Sequence, residues 1–522
     1  MPSKAIKPKP DDHLLAGWES RPETAPSIVR ETPATVARFL ALIGLILAAI
    51  GFFATVIAPL SGRVYFIGPS LGVFALAVGL FLLVFHAVSD QDIQYRLMYL
   101  VVGYIGIGFA VVLRLLPLGG KVGAYFLPAG LPCMLLGLVF ALCAIRHESD
   151  AKMRFGLSLP FGALGFLMVL LGSFAGHINA EYLLAEGVVT SVVGLVFVAA
   201  FIGVHGAASD VGYGTALGLG LIGLVGVVAA LGRSYLEPDF FVPSGLLLAA
   251  IGALYLIVSL VLCTDWPVLV IYRRELKASF LSPMGFLVLL GSIAIGWIWF
   301  YIFLFSETGG LVAYTDPRVG GMPEPVVGQY LFSLILVFAL TFLVPVLTMR
   351  VLSEERKSGT LEVLLTAPVS EMTLVLGKFL SALTFYLLIW LPWFGFVLAL
   401  RVYGGTVFDY RPLLSFIPAL IVTGMAFVAI GVMFSSFTSN QIVAAVFTFV
   451  AMFLMWLPYF RFLFKIRETS IWNDVLIYVS PLDLWQTSLY GILAPRYFLY
   501  FVSVTVFCLF LTCKALEARK WK

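Results

Sequence analysis

The chain has 522 residues, of which 61% are hydrophobic and only 11% charged. A soluble globular protein carries about 25% charged residues, so a water-soluble fold is excluded and a polytopic helical membrane protein remains. The net charge of +4 says less than the placement of the charges, because basic connections set orientation in the membrane.

Residues 1–38 are polar and contain Pro2, Pro8, Pro10, Pro22, Pro26 and Pro33. This composition predicts a disordered tail. The basic stretch is too long for a signal peptide and no cleavage site follows, so the tail is expected on the cytoplasmic side. Fourteen apolar runs then approach the roughly 20 residues needed to cross a bilayer. Eight lie at 39–59, 64–85, 97–118, 127–145, 155–175, 188–205, 214–232 and 243–263. Six more lie at 284–305, 327–348, 380–400, 413–435, 442–460 and 496–514. The expected fold class is therefore an all-α polytopic membrane protein of about fourteen transmembrane helices. Basic clusters at Arg146, Lys152 and Arg154, at Arg273, Arg274 and Lys277, at Arg356 and Lys357, and at Lys514, Arg519, Lys520 and Lys522 fall on one side of this map. Both termini are then cytoplasmic.

The first eight spans, 39–263, read as one helical hairpin copied four times. Gly51, Gly108, Gly165 and Gly223 recur at intervals of 57 or 58 residues in the outgoing spans. Gly79, Gly137, Gly194 and Gly252 keep the same interval in the returning ones. Small residues let helix backbones approach closely where lipid supplies no hydrophobic drive, so these glycines are expected at helix crossings, as are Gly68–Gly72 and Gly214–Gly218. The function of this half is not legible. Its histidines, His86, His147, His177 and His205, lie near span ends without ligand spacing, like His13 in the tail. Cys133, Cys143, Cys263, Cys508 and Cys513 fall in or beside apolar runs, as buried thiols do.

Residues 264–522 begin with a different pattern. In Thr264–Pro283, Val268, Tyr272, Leu276 and Phe280 are four apart, on one helical face, with Arg273, Arg274 and Lys277 pointing elsewhere. This suits a helix lying in the headgroup layer; an ordinary cytosolic turn is the alternative. In "SEERKSGTLEVLLTAPVSE", Ser353 to Glu371, hydrated charges at Glu354, Glu355, Arg356 and Lys357 precede Ser358-Gly359-Thr360, which can turn the chain. Leu361, Leu364 and Leu365 offer an apolar edge, Pro368 stops the element, and Ser370 can cap the next helix. A solvated loop with generic helix signals is the alternative here. Arg461–Pro495 is too apolar for free solvent and too broken by proline for one span; a dip into the outer leaflet fits it.

No nucleotide-binding motif is present: Met372 stands where a phosphate loop ending at Gly377-Lys378 would need its first glycine. "GPSLG" at Gly68 opens an apolar helix, the wrong context for a nucleophile elbow. Catalytic, cofactor and metal sites are therefore not expected.

Three stretches, "RRELKASFLSPMGF", "RVLSEERKSGTLEVLLTAPVSEMTLVLGKF" and "SPLDLWQTSLYGIL", give residues from about 266 onward a family likeness. They resemble an ABC-2 type transporter permease, in particular the gliding-motility-associated branch. The resemblance implies an interfacial helix over 264–283, carrying Arg273, Arg274, Glu275 and Lys277. It also implies a coupling segment over 349–379 that docks on a separate cytoplasmic ABC ATPase. There Glu354, Glu355, Arg356, Gly359, Thr360, Leu361, Glu362, Leu364, Leu365 and Pro368 would carry the contact. ATP would be used by that partner. A homodimer or a pair with a similar permease is implied, in the inner membrane of a prokaryote, with room for a periplasmic auxiliary subunit and no nucleic acid. An integral-membrane scaffold without transport is the competing function. The permease spans look almost free of charge, which points mildly to an amphipathic or lipid-linked cargo.

Overall fold

The computed structural model describes residues 34–54, 69–89, 92–115, 126, 130–146, 148, 150–178, 187–206, 209–305, 325–360, 369–403, 411–464 and 471–520. Its regular elements are helices, and no strand occurs among the described residues. Among the described residues, eleven helices are long and apolar enough to cross a membrane, and three shorter apolar helices, Val36–Phe52, Ala75–Ser89 and Leu131–Ile145, stand where the sequence predicts further spans. The chain divides into two compact units, 1–160 and 161–522.

The first unit holds two helical hairpins. The first pairs α1 (Ala34–Phe52) with α2 (Pro69–Ser89), and the second pairs α3 (Ile93–Leu115) with α4 (Leu131–Ile145). The start of α5 (Ala151–Ile178) follows. Glycines bring the helices of each pair together. A Cβ at Gly79 would lie 2.6 Å from the Gly44 carbonyl oxygen, and one at Gly137 2.5 Å from that of Gly103. Gly108 departs from the expected pattern, because nothing lies within 4 Å of its Cβ position. Its neighbour one and a half turns earlier, Gly103, occupies the crossing instead. His86, in the last turn of α2, is buried, 1% exposed, and its Nδ1 lies 2.8 Å from the Tyr99 hydroxyl.

In the second unit the repeat glycines meet one another. The rest of α5 packs on α6 (Val188–His205), with a Gly165 Cβ position 3.2 Å from the Gly194 oxygen. Helix α7 (Asp210–Leu236) packs on α8 (Leu246–Cys263), with Gly223 at 2.7 Å from the Gly252 oxygen. Gly214 meets nothing within 4 Å and Gly218 only the Phe166 ring, so that small-xxx-small pair is not a crossing. Buried side chains of α5, α6, α7 and α8, Val169, Val198, Leu219 and Tyr255 among them, form one core.

A separate core occupies 271–516. It is built by α9 (Pro267–Leu281), α10 (Pro283–Phe305), α11 (Pro325–Leu331), α12 (Leu334–Thr348), α13 (Ser353–Ser358) and α14 (Glu371–Ile389). They are followed by α15 (Leu391–Tyr403), α16 (Arg411–Phe437), α17 (Gln441–Trp456), α18 (Ile471–Val479), α19 (Pro481–Leu489) and α20 (Pro495–Lys520). Trp390, Trp456, Trp485 and Phe416 form its aromatic centre, with Trp485 edge-on to both other tryptophans at 5.5 Å. Two of the three indole N–H groups are satisfied by threonines in the apolar helices, Trp485 Nε1 donating to Thr423 and Trp456 Nε1 to Thr341. Large aromatics with a polar handle need such partners when buried. Helix α16, in contact with α12, α14, α17, α19 and α20, is the central post of this half.

Candidate functional site

One buried cation joins three elements that are far apart in sequence. Lys378 sits seven residues after the start of α14, and its side chain is 1% exposed. Its Nζ lies 3.1 Å from Glu275 Oε2 on α9 and 2.7 Å from Glu355 Oε1 on α13. Seven residues at 1.5 Å each place its Cα about 10 Å inside the helix end, and the long stem lets the ammonium reach back toward the polar boundary. The two carboxylates are themselves half-buried, and Glu355 Oε2 is buried with no hydrogen-bond partner among the described residues. A buried charge is tolerated only when paired, so this triad holds its three elements in one register.

The short helix α13 has a second seat. Ser435 Oγ on α16 accepts from the backbone N–H groups of Leu352 and Ser353, both at 3.0 Å, and donates to the Met349 carbonyl at 3.1 Å. Arg356 adds a long contact, 3.4 Å, to the Ser436 carbonyl. Arg350 and Glu354, one turn apart, form a two-pronged pair at 2.8 and 2.9 Å. Gly359 then ends the helix with φ of +75°, a left-handed conformation that costs glycine nothing. Thr360 folds back on Ser358, with 2.8 Å between their hydroxyls. The next helix, α14, opens with Ser370 Oγ accepting from Thr373 N–H, the expected cap. Leu361, Glu362, Leu364, Leu365 and Pro368, the predicted apolar edge and stop, lie outside the described residues.

Helix α9 runs against α14. A Cβ at Gly377 would lie 2.7 Å from an Ile271 methyl, and Tyr272 Oη lies 3.1 Å from Thr384 Oγ1. Phe280 meets the Phe385 ring at 5.3 Å. The four charged residues of α9 go to different partners. Arg273 turns back to the carbonyls of Leu262 and Thr264 at 3.0 and 3.1 Å, satisfying the end of α8. Glu275 pairs with Lys378, Arg274 reaches Glu275 at 3.9 Å, and Lys277 is exposed.

Two sequence expectations need correcting. Glu355 is not hydrated, because Lys378 draws it inward. The spans of this half are not free of consequential charge, because Lys378 lies within one. Sequence reading passed over Lys378 as part of a failed phosphate loop. The signal that finds it is a lone lysine inside an otherwise apolar run, which is functional by default in a membrane helix.

The "SPLDLWQTSLYGIL" stretch is also an anchor. Ser480 Oγ accepts from Asp483 N–H at the start of α19, and Arg461 grips the Asp483 carboxylate with both nitrogens, at 2.9 and 3.1 Å. Bidentate pairing of this kind fixes geometry as well as charge. Ser415 on α16 donates to the Ser488 carbonyl at 2.6 Å, which pins the far end.

None of the curated proteins matches the chain. Residues 270–513 match the family described as ABC-2 family transporter protein. That footprint begins inside α9 and ends inside α20, so the likeness to ABC-2 family transporter proteins takes in the separate core and the Lys378 triad.

Proposed function

We propose that the chain is the permease subunit of an ATP-driven exporter, coupled to separate cytoplasmic ATPase subunits through the segment 349–379. The observation that carries the reading is the Lys378 triad, which ties a polar helix between two spans (α13) to the helix preceding the first span (α9) and to a membrane helix (α14). A push delivered at Glu355 reaches α9 and α14 together, because neither carboxylate can leave the buried ammonium cheaply. Ser435 carries the same push to the central post, α16.

On this reading α9 lies in the inner headgroup layer and the ATPase sits beneath α13, with both termini cytoplasmic. A homodimer, or a pair with a similar permease of the gliding-motility-associated branch, completes the path. The eight-span half, 39–263, accompanies the permease without an assigned task. Affinity purification of the chain from its native membrane tests the proposal. An ATPase that photolabels with azido-ATP should accompany the chain, and ATP hydrolysis should survive reconstitution. A complex that hydrolyses no ATP would favour the scaffold reading instead.

A further inference from the structure

Beside the Lys378 triad lies a half-enclosed cavity of about 360 Å³. It stands among α9, the start of α10, the end of α12, the start of α13 and the middle of α14. Its wall is divided by depth. Three cations, Arg274, Arg350 and Lys378, and three carboxylates, Glu275, Glu354 and Glu355, line one part. Val288, Val346, Leu347 and Phe385 line another, each on an apolar helix inward of its polar end. The charged and apolar parts of the lining adjoin, as headgroup and acyl-chain surroundings do in a bilayer.

We infer that this cavity binds a zwitterionic phospholipid headgroup, of the phosphoethanolamine class, with its acyl tail along the apolar wall. The volume sits at the lower end of the roughly 300–1,000 Å³ of small-molecule sites, so a headgroup fits and the chains leave through the open side. Charge decides between headgroups. Three cations and three carboxylates cancel, so an anionic headgroup would bring an unmatched charge into a partly desolvated wall, whereas a zwitterion brings none. Arg274 is the group left to take the phosphate. Its side chain is 66% exposed, and its carboxylate contact to Glu275, at 3.9 Å, is too long for a hydrogen bond. The ammonium end then faces Glu275 and Glu354. This site needs no ATPase, and its test stands apart from the transport reading.

The test uses the full chain in detergent with dihexanoyl phosphatidylethanolamine, dihexanoyl phosphatidylglycerol and glycerophosphoethanolamine, each titrated by calorimetry. Two variants act at exposed positions of the cavity mouth: Arg274→Glu reverses the phosphate contact, and Ala278→Trp blocks entry. The expected result is saturable binding of the ethanolamine lipid, at least tenfold tighter than either other probe. Both variants should weaken it at least tenfold while keeping the wild-type melting midpoint. Equal binding of the two lipids would overturn the charge argument. Equal binding of glycerophosphoethanolamine would overturn the apolar wall, and wild-type affinity in both variants would overturn the location.

Discussion

Replacing Lys378 with methionine removes the ammonium but keeps the length and most of the volume of the side chain. Glu275 and Glu355 are then left facing each other, at 21% and 15% side-chain exposure, with no cation between them. Removing one partner of a buried pair costs roughly 3–5 kcal/mol, and the repulsion of two half-buried carboxylates acts in the same direction. One kcal/mol moves the melting midpoint of a domain of this size by about 2–4 °C, so Lys378→Met should lower it by roughly 6–20 °C. The midpoint is read from tryptophan fluorescence in detergent, where Trp390 and Trp485 report on this core. Adding Glu275→Gln and Glu355→Gln to Lys378→Met removes the stranded charges and should recover at least half of the loss, a coupling that only groups in contact show. A Lys378→Met protein that melts within about 2 °C of wild type, or a triple variant no better than the single one, would refute the triad as a structural tie.

Three further outcomes are expected. Ser435→Ala strands the N–H groups of Leu352 and Ser353 and should cost about 1–3 kcal/mol for unsatisfied buried donors, read as faster proteolysis near residues 353–360. Gly223→Leu should lower detergent stability by about 1–3 kcal/mol through overpacking against the Gly252 backbone, while Gly108→Leu, at an open position, should leave it unchanged. Single cysteines replacing Lys357 and Asp474, both exposed, should label from opposite sides of sealed membranes, Lys357→Cys from the cytoplasm; labelling from one side would break the span order between them.

Much of the helical frame is legible in the sequence, because hydrocarbon permits little besides long apolar helices. Ser370 and the Gly359 turn are readable as a cap and a stop for the same reason that any soluble helix shows them. The hairpin glycines are readable as a set but not one by one. A 57-residue interval cannot say whether Gly103 or Gly108 reaches the partner helix, since the two differ in which face of α3 they occupy. The triad is harder still. Glu275, Glu355 and Lys378 are spread over a hundred residues, and each looks like an ordinary surface charge or a span-end lysine until α9 is seen lying against α14. Asp483 is hidden in the same way: its own motif announces a helix cap, and only the fold supplies Arg461.

The proposed coupling requires that the segment following Ser353 receive an ATPase. Leu364→Asp with Leu365→Asp puts charge on the apolar edge expected to enter the partner and leaves the Lys378 triad intact. Unpaired charge in such a contact costs several kcal/mol. Quantitative recovery of the photolabelled ATPase with the purified chain is the measurement, with Lys152→Ala and Arg154→Ala as controls on another connection. The expected double mutant has normal abundance and melting midpoint but has lost its ATPase, or keeps it with ATP hydrolysis no longer driving transport, while both controls retain it. Full ATPase recovery with full ATP-driven transport in the double mutant would contradict the coupling role.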